Sequence, residues 1–359
     1  MPSSIHFNLA AAAQASMQEH GFQPEFSSDA QKQLAAILGG SRPAQSLAGD
    51  SGWKDLRNLL WSSIDNDTSK DLDQIEYAEQ LKDGRIRILV GVADVDGTVQ
   101  RGTPLDVHAA SETTSVYTGV RTFPMLPAEL SEGLTSLNEH AGRAAVVTEF
   151  CVDAQGAVSD GQIYRALVRN QAQLAYNAVG AWLEGTGAAP PKLAASPELA
   201  AQLRLQDEAA QRMVGARFQH GALDLETIET RPVLLAGEAL DPQVTDLVRQ
   251  QKNRATSLIE EFMVAANGVM ARLLDAARVA SIRRVVRVPK RWDRIVEMAR
   301  ALGTNLPPEP DSKALNDFLL AWRSSDPIHF PDLSLAVIKL MGPGEYVMVK
   351  PGEESPGHF

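Results

Sequence analysis

Four aspartates fall within nine positions, Asp65, Asp67, Asp71 and Asp73, and apolar Ile64 and Ile75 bracket the run. Carboxylates this close repel one another, so the segment cannot enter a core as it stands. It must stay in water or be neutralised by a hard cation. The residues on its C-terminal side constrain it further. Residues 75–81 and 85–95 read as a hairpin joined by Lys82-Asp83-Gly84, because Ile86, Ile88, Val90 and Val92 alternate with Arg85, Arg87, Leu89 and Gly91. The chain thus presents an acidic loop that feeds directly into a β-strand.

Three readings fit that loop. In the first it binds magnesium, which takes oxygen ligands in octahedral geometry and keeps waters and substrate phosphates in its shell. Two such ions ~3.5–4 Å apart can clamp the attacking and leaving oxygens of a phosphodiester. In the second it is a solvated acidic loop. In the third it is an EF-hand calcium loop, with Asp65, Asp67, Ser69, Asp71, Asp73 and Glu76 at positions 1, 3, 5, 7, 9 and 12. Against the third stand Lys70 at position 6, where the sharp turn requires glycine, and the strand that replaces an exiting helix.

The rest of the chain supplies the setting. Residues 1–50 are rich in Ala, Gln and Ser and hold two helix-like stretches, 9–20 and 28–38, the second stopped by Gly39-Gly40. Residues 41–52 read as a linker. A second hairpin is expected at 144–152 and 162–168, and the stretch between the hairpins reads as irregular. After residue 170 helices dominate: 196–219, a long segment 241–279 that needs a bend, 290–302 and 312–322. Early strands and late helices make a mixed α+β fold.

Composition excludes some functions. The net charge is −11, which argues against general binding to a polyanion, so any nucleic acid must meet a local basic patch or a bound metal. No stretch approaches the ~20 apolar residues that span a bilayer, and the start Met1-Pro2-Ser3-Ser4-Ile5-His6 has no secretory pattern. Cys151 is the single cysteine, so no internal disulfide can form; this fits a reducing, cytoplasmic setting, with Cys151 as a buried small hydrophobe. The densest basic run is 283–291 with Arg294. It serves either as a guide for phosphates or as a solvated strand and helix start.

Ile64-Asp65, a polar stretch and Asp71-Leu72-Asp73-Gln74 ahead of a strand resemble the active-site signature of the ribonuclease II family, whose catalytic module is the RNB domain. Asp65, Asp71 and Asp73 match three of its four carboxylates, and Gln74 stands at the fourth. The resemblance continues through Val92-Ala93-Asp94-Val95, Phe123-Pro124-Met125-Leu126-Pro127 and Thr135-Ser136-Leu137. Tyr117, seven residues before Pro124, matches a tyrosine that stacks on the terminal nucleotide, and Tyr176 matches a second active-site tyrosine. Gly221-Ala222-Leu223-Asp224-Leu225 is similar to a segment in which some members carry an aromatic clamp at the place of Leu225. Residues 259–267 resemble a helix whose first glutamate, here Glu260, contacts the terminal sugar.

The resemblance implies an RNB-type domain over 51–359, preceded by a helical segment at 1–50 that is either helix-turn-helix-like or a simple cap. It implies a monomeric, magnesium-dependent exoribonuclease acting on single-stranded RNA 3′ ends and releasing nucleoside 5′-monophosphates. Asp65, Asp71 and Asp73 would hold metal, Asp73 would be most critical, Gln74 would complete the catalytic set, and Tyr117, Tyr176 and Glu260 would bind substrate. Without the small RNA-binding barrels that usually begin the family, structured RNA should be better tolerated. The family's Gly-His-Phe-like segment, matched by Gly357-His358-Phe359, precedes an arginine motif and a basic barrel. A chain without that arginine would be slower by ~10²–10³. The alternative function is a catalytically weakened RNA-binding or regulatory protein that keeps the fold.

Overall fold

A computed structural model describes residues 8–40, 52–234, 244–250 and 252–353. The readings of the first six residues, of the linker at 41–52 except Gly52, and of Gly357-His358-Phe359 lie outside that range. The two N-terminal helices form as expected, α1 (Leu9–Glu19) and α2 (Ser28–Gly40). Asn8 caps the first by accepting from the Ala11 amide, and Ser27 Oγ accepts from the Ala30 amide at the start of the second.

Strands β1 (Lys54–Asp55), β2 (Trp61–Asp65), β3 (Gln74–Gln80) and β4 (Ile86–Ala93) come next. The β3–β4 hairpin has the alternation that the sequence predicts, and Gly84 takes a positive φ of 86° in its turn. The stretch after it is less irregular than expected. It holds α3 (Pro104–Glu112), the short strands β5 (Val116–Tyr117) and β6 (Thr122–Phe123), and a π-helical turn at Glu129–Leu134. Pro104 opens α3 where its missing N–H costs nothing. The N-terminal helices are seated here: Ala30 packs with Val99, Leu105 and Leu130, and Gln33 accepts from the Leu105 amide.

Strands β7 (Gly142–Val152) and β8 (Val158–Ala175) form the second hairpin. β8 decides the architecture. Residues 158–169 pair antiparallel with β7, and residues 170–175 pair in parallel with β2. The ladder therefore runs β8–β2–β3–β4–β7 and returns to β8, closing a five-stranded barrel, with β1 added in parallel alongside β8. Inside, Trp61, Leu72, Ile75, Leu89, Val147 and Val168 pack together. Gly91 leaves room for them: a Cβ there would lie 3.2 Å from Ile75 Cγ1 and 3.5 Å from the Trp61 ring.

Helices α4 (Tyr176–Leu183), α5 (Pro191–Ala195) and α6 (Pro197–Gln219) then cover the outside. The segment 241–279 is not one bent helix. It contains β10 (Val244–Gln250), paired antiparallel with β9 (Glu229–Leu234), and then α7 (Arg254–Ala276). The break has a local cause: Asn253 accepts from the Ala255 and Thr256 amides while Thr256 Oγ accepts from the Asn253 amide, a reciprocal capping box. Leu247, counted by spacing with the helix, is 63% exposed on the strand. Asn253→Ala is expected to cost about 0.5–2 kcal/mol, read as a lowered urea midpoint at unchanged slope.

Leu203, Ala210 and Met213 of α6 and Leu258, Phe262 and Val269 of α7 pack on Ile64, Ala78, Ile88 and Phe150 of the barrel's outer face. A further unit follows: β11 (Ser281–Val285), α8 (Trp292–Ala301), α9 (Ser312–Ser325), α10 (Phe330–Met341) and β12 (Glu345–Val349). Its three helices share a core of Trp292, Ile295, Phe318 and Phe330. Sequence periodicity placed α8 and α9 but not α10, nor β12, which pairs with β11. No helix among the described residues is long and apolar enough to cross a membrane.

Candidate active site

The aspartate loop sits at one rim of the barrel, between the end of β2 and the start of β3. Ser62 of β2 faces Glu76 of β3 across the antiparallel pair. Carried along both strands, that register sets Ile64 against Gln74 and Asp65 against Asp73. Asp65 also aligns with Ala175, the last residue of β8, so Tyr176 comes directly beside it.

Backbone and hydroxyl contacts hold the loop between these points. Ser136 Oγ accepts from the Leu72 amide at 3.0 Å and donates to the Lys70 carbonyl at 2.8 Å. The Leu137 amide donates to the Leu72 carbonyl at 2.8 Å, and the Ala93 amide to the Asp73 carbonyl at 2.9 Å. Gln173 reaches the Ser69 carbonyl at 3.1 Å. The Thr135-Ser136-Leu137 motif therefore clamps the acidic loop. Its residues stand out in the sequence, but their spacing carries no sign of that task.

The electrostatics follow from the crowding. Burial, and then the charges of Asp65 and Asp71, push the Asp73 carboxyl upward. Burial also raises Asp65, opposed by the Asn66 amide that donates to its Oδ1 at 2.7 Å. Glu76 is pushed well above the ordinary glutamate value, first by complete burial and then by Asp73 and Asp65. The Tyr176 hydroxyl is raised by burial and by Asp65, Glu76 and Asp73. These side chains share one electrostatic neighbourhood.

Tyr117 joins them through its hydroxyl, which donates to Asp71 Oδ2 at 2.5 Å, while the residue is 65% exposed. A large free aromatic face thus stands beside the acidic loop. Gln74 is 8% exposed as the first residue of β3. Glu260 is not drawn into the cluster. It pairs with Lys252 at 3.2 Å, and Lys252 lines a cavity with Leu225, Glu226, Arg249 and Arg323. Leu225 packs on the α8–α10 unit. Asp94, from the Val92–Val95 motif, is structural: it accepts from the Gly97 amide and pairs with Arg165 at 3.1 Å.

The basic run is engaged in ion pairs at several points. Arg283 pairs with Asp275 at 2.6 Å, Arg287 with Glu345, and Arg294 with Glu297 at 3.0 Å. Its solvated, structural role is the one these contacts support. Cys151 is a buried free thiol, as its sequence context predicts.

Among the described residues, no three His, Cys, Asp or Glu side chains stand close enough in this conformation to hold one metal ion. The chemistry of the donor set nevertheless fits a divalent cation. All the groups offered are carboxylate oxygens, and two of the carboxyls, Asp65 and Asp73, are raised by burial and by neighbouring negative charge. Neither oxygen of Glu76 has a hydrogen-bond partner among the described residues. The Tyr117 hydroxyl engages only Oδ2 of Asp71.

A closed barrel with an acidic loop at its rim, roofed by helices and flanked by two tyrosines, defines an α+β protein with a carboxylate-centred site. The RNB domain model matches residues 53–359, and the chain belongs to that family. Ribonuclease R of Vibrio parahaemolyticus is 32% identical over 276 residues, 73% of this chain and 31% of that protein. Exoribonuclease 2 of Cronobacter sakazakii is 35% identical over 222 residues, 62% of this chain and 33% of that protein. The chain spans about a third of the length of these curated relatives. Mycoplasma genitalium RNase R, solved in complex with ribose methylated single-stranded RNA, shares the fold with a TM-score of 0.83 at 24% identity, over 94% of this chain and 51% of that one.

Proposed function

We propose that this chain carries the catalytic site of a magnesium-dependent exoribonuclease that hydrolyses single-stranded RNA from its 3′ end to nucleoside 5′-monophosphates. The observation that carries the reading is the convergence of Asp65, Asp71 and Asp73 with an exposed tyrosine ring at one barrel rim. The relatives' names and the RNA bound to the Mycoplasma structure support it. We place the protein in the cytoplasm as a monomer, with Cys151 unpaired. We assign residues 51–359 to the RNB unit, whose family model matches 53–359, and residues 1–50 to a helical accessory element whose helix α2 packs against α3.

Asp65, Asp71 and Asp73 would hold magnesium, which when bound activates water and stabilises the leaving oxygen. Ser136 fixes the loop that presents them. Gln74 offers a neutral carbonyl oxygen beside Asp73. Tyr117 stacks the terminal base, a contact indifferent to sequence because every base has a π-face. Tyr176 lines the wall behind Asp65. Glu260 exchanges Lys252 for the terminal ribose hydroxyl and so favours RNA over DNA. The test is release of labelled monophosphate from a single-stranded RNA oligonucleotide with magnesium and with EDTA. Release that persists in EDTA, or no release in magnesium, overturns the reading.

Tyr117→Ala is expected to raise KM roughly 5- to 150-fold, the equivalent of ~1–3 kcal/mol of stacking. Tyr117→Phe keeps the ring and loses only the bond to Asp71, so its KM should stay near wild type. Equal KM effects of the two variants would contradict the stacking role.

Two observations favour a second reading, an RNA-binding protein with weakened catalysis. Gln74 removes a negative charge from the loop, and Tyr117 occupies Asp71. Tight RNA binding without magnesium-dependent turnover would establish it.

A further inference from the structure

Glu76 is a buried carboxyl, 0% exposed, whose two oxygens both lack a hydrogen-bond partner among the described residues. After burial itself, the nearby charges that raise it are those of Asp73 and Asp65, both negative. A buried carboxyl without a partner keeps its proton and becomes a charge only when a nearby cation draws that proton off. The polar groups around it are unfinished too: Ser62 Oγ, across the strand pair, and Gln206 Oε1, from α6, are buried without partners among the described residues. Gln206 spends its amide on the Glu76 carbonyl at 3.4 Å rather than on the carboxylate.

Position explains what the group could serve. Alternate residues of a strand share a face and lie ~6.6–6.8 Å apart. Glu76 therefore stands directly behind Gln74 on the helix-covered face of β3, one step deeper than the acidic loop. Gln74 brings an amide to the place nearest Asp73, where a carboxylate would add a negative charge. We propose that Glu76 is the fourth carboxylate of this site, supplying from behind Gln74 the negative charge that draws a divalent cation to Asp65, Asp71 and Asp73. At short range in a poorly solvated interior that charge acts strongly without touching the ion. The inference rests on the metal-dependent reading of the site.

The experiment measures manganese binding by the EPR signal of the free ion, and magnesium binding by the rise in Tm. Wild type, E76Q, the double variant Q74D/E76Q and the control D96N, an exposed site, are compared. E76Q is expected to weaken manganese affinity at least tenfold and to shrink the magnesium-induced rise in Tm, with a metal-free Tm no lower than wild type. Q74D/E76Q, which returns the charge one step forward, is expected to recover most of that affinity. D96N should bind as wild type does. Unchanged manganese affinity in E76Q overturns the role of Glu76 alone, as does a failure of Q74D to restore it. If wild type binds no manganese, the metal-dependent reading falls with it. Should E76Q not fold, E76D decides: it keeps the charge and withdraws it by one methylene, so weakened binding supports the proposal and wild-type binding overturns it.

Discussion

Replacing Asp73 by asparagine is expected to lower magnesium-dependent RNA hydrolysis by about 10³-fold or more while leaving the fold intact. The magnitude comes from losing a charged oxygen at a metal-centred site, a loss of several kcal/mol of transition-state stabilisation at ~1.4 kcal/mol per factor of ten. The fold should survive because burial raises the Asp73 carboxyl. A raised carboxyl holds its proton to higher pH in the folded chain than in the unfolded one. Its stabilising contribution is present below the unfolded value, near 3.9, and is lost as pH rises through the folded one. At pH 7 the ionised carboxylate therefore works against the metal-free fold, and asparagine removes that opposition. The metal-free Tm of Asp73→Asn at pH 7 should equal or exceed that of wild type. A variant that retains more than a tenth of the activity would show that the chemistry lies elsewhere.

Trp61→Ala is expected to produce the largest loss of stability, about 3–5 kcal/mol. Trp61 is fully buried inside the barrel, donates from Nε1 to the Leu56 carbonyl at 2.8 Å, and fills the space that Gly91 leaves open. Alanine removes the ring and the bond together, and a closed barrel cannot collapse onto the gap without shifting its ladder. Trp61 also begins the strand that ends at Asp65. The variant should therefore bind metal more weakly even where it remains folded. Thermal unfolding checks the first effect and manganese titration the second. A loss below about 1 kcal/mol would mean that the ring is not enclosed by the barrel.

Much of the candidate site is legible because its signals are local. Asp65, Asp71 and Asp73 are close in the chain and remain close at the rim. The hairpins on either side keep a period of two, and Gly84 marks a turn that needs a positive φ. Tyr117 is singled out by the family resemblance, at its distance from Pro124, and its hydroxyl reaches Asp71. Glu260 is singled out by the resemblance of residues 259–267 to a family helix, but its partner in the structure, Lys252, lies across the helix start and is not deducible from spacing. The segment 241–279 misled because its apolar residues satisfy a helical period. Pairing of β10 with β9, together with the capping box at Asn253, overrode that preference.

By itself the sequence determined the α+β order of elements, the acidic loop ahead of a strand, and the family to which its motifs belong. These depend on neighbours within a few residues, where pattern and conformation are directly linked. Only the tertiary structure decided that the sheet closes, because closure needs one 18-residue strand to pair with β7 at one end and β2 at the other. It alone brought Ser136 under the loop from 64 residues away and sealed Glu76 beneath α6. Such contacts arise from packing surfaces against one another, and burial of a particular carboxylate is not written in the spacing of the residues around it.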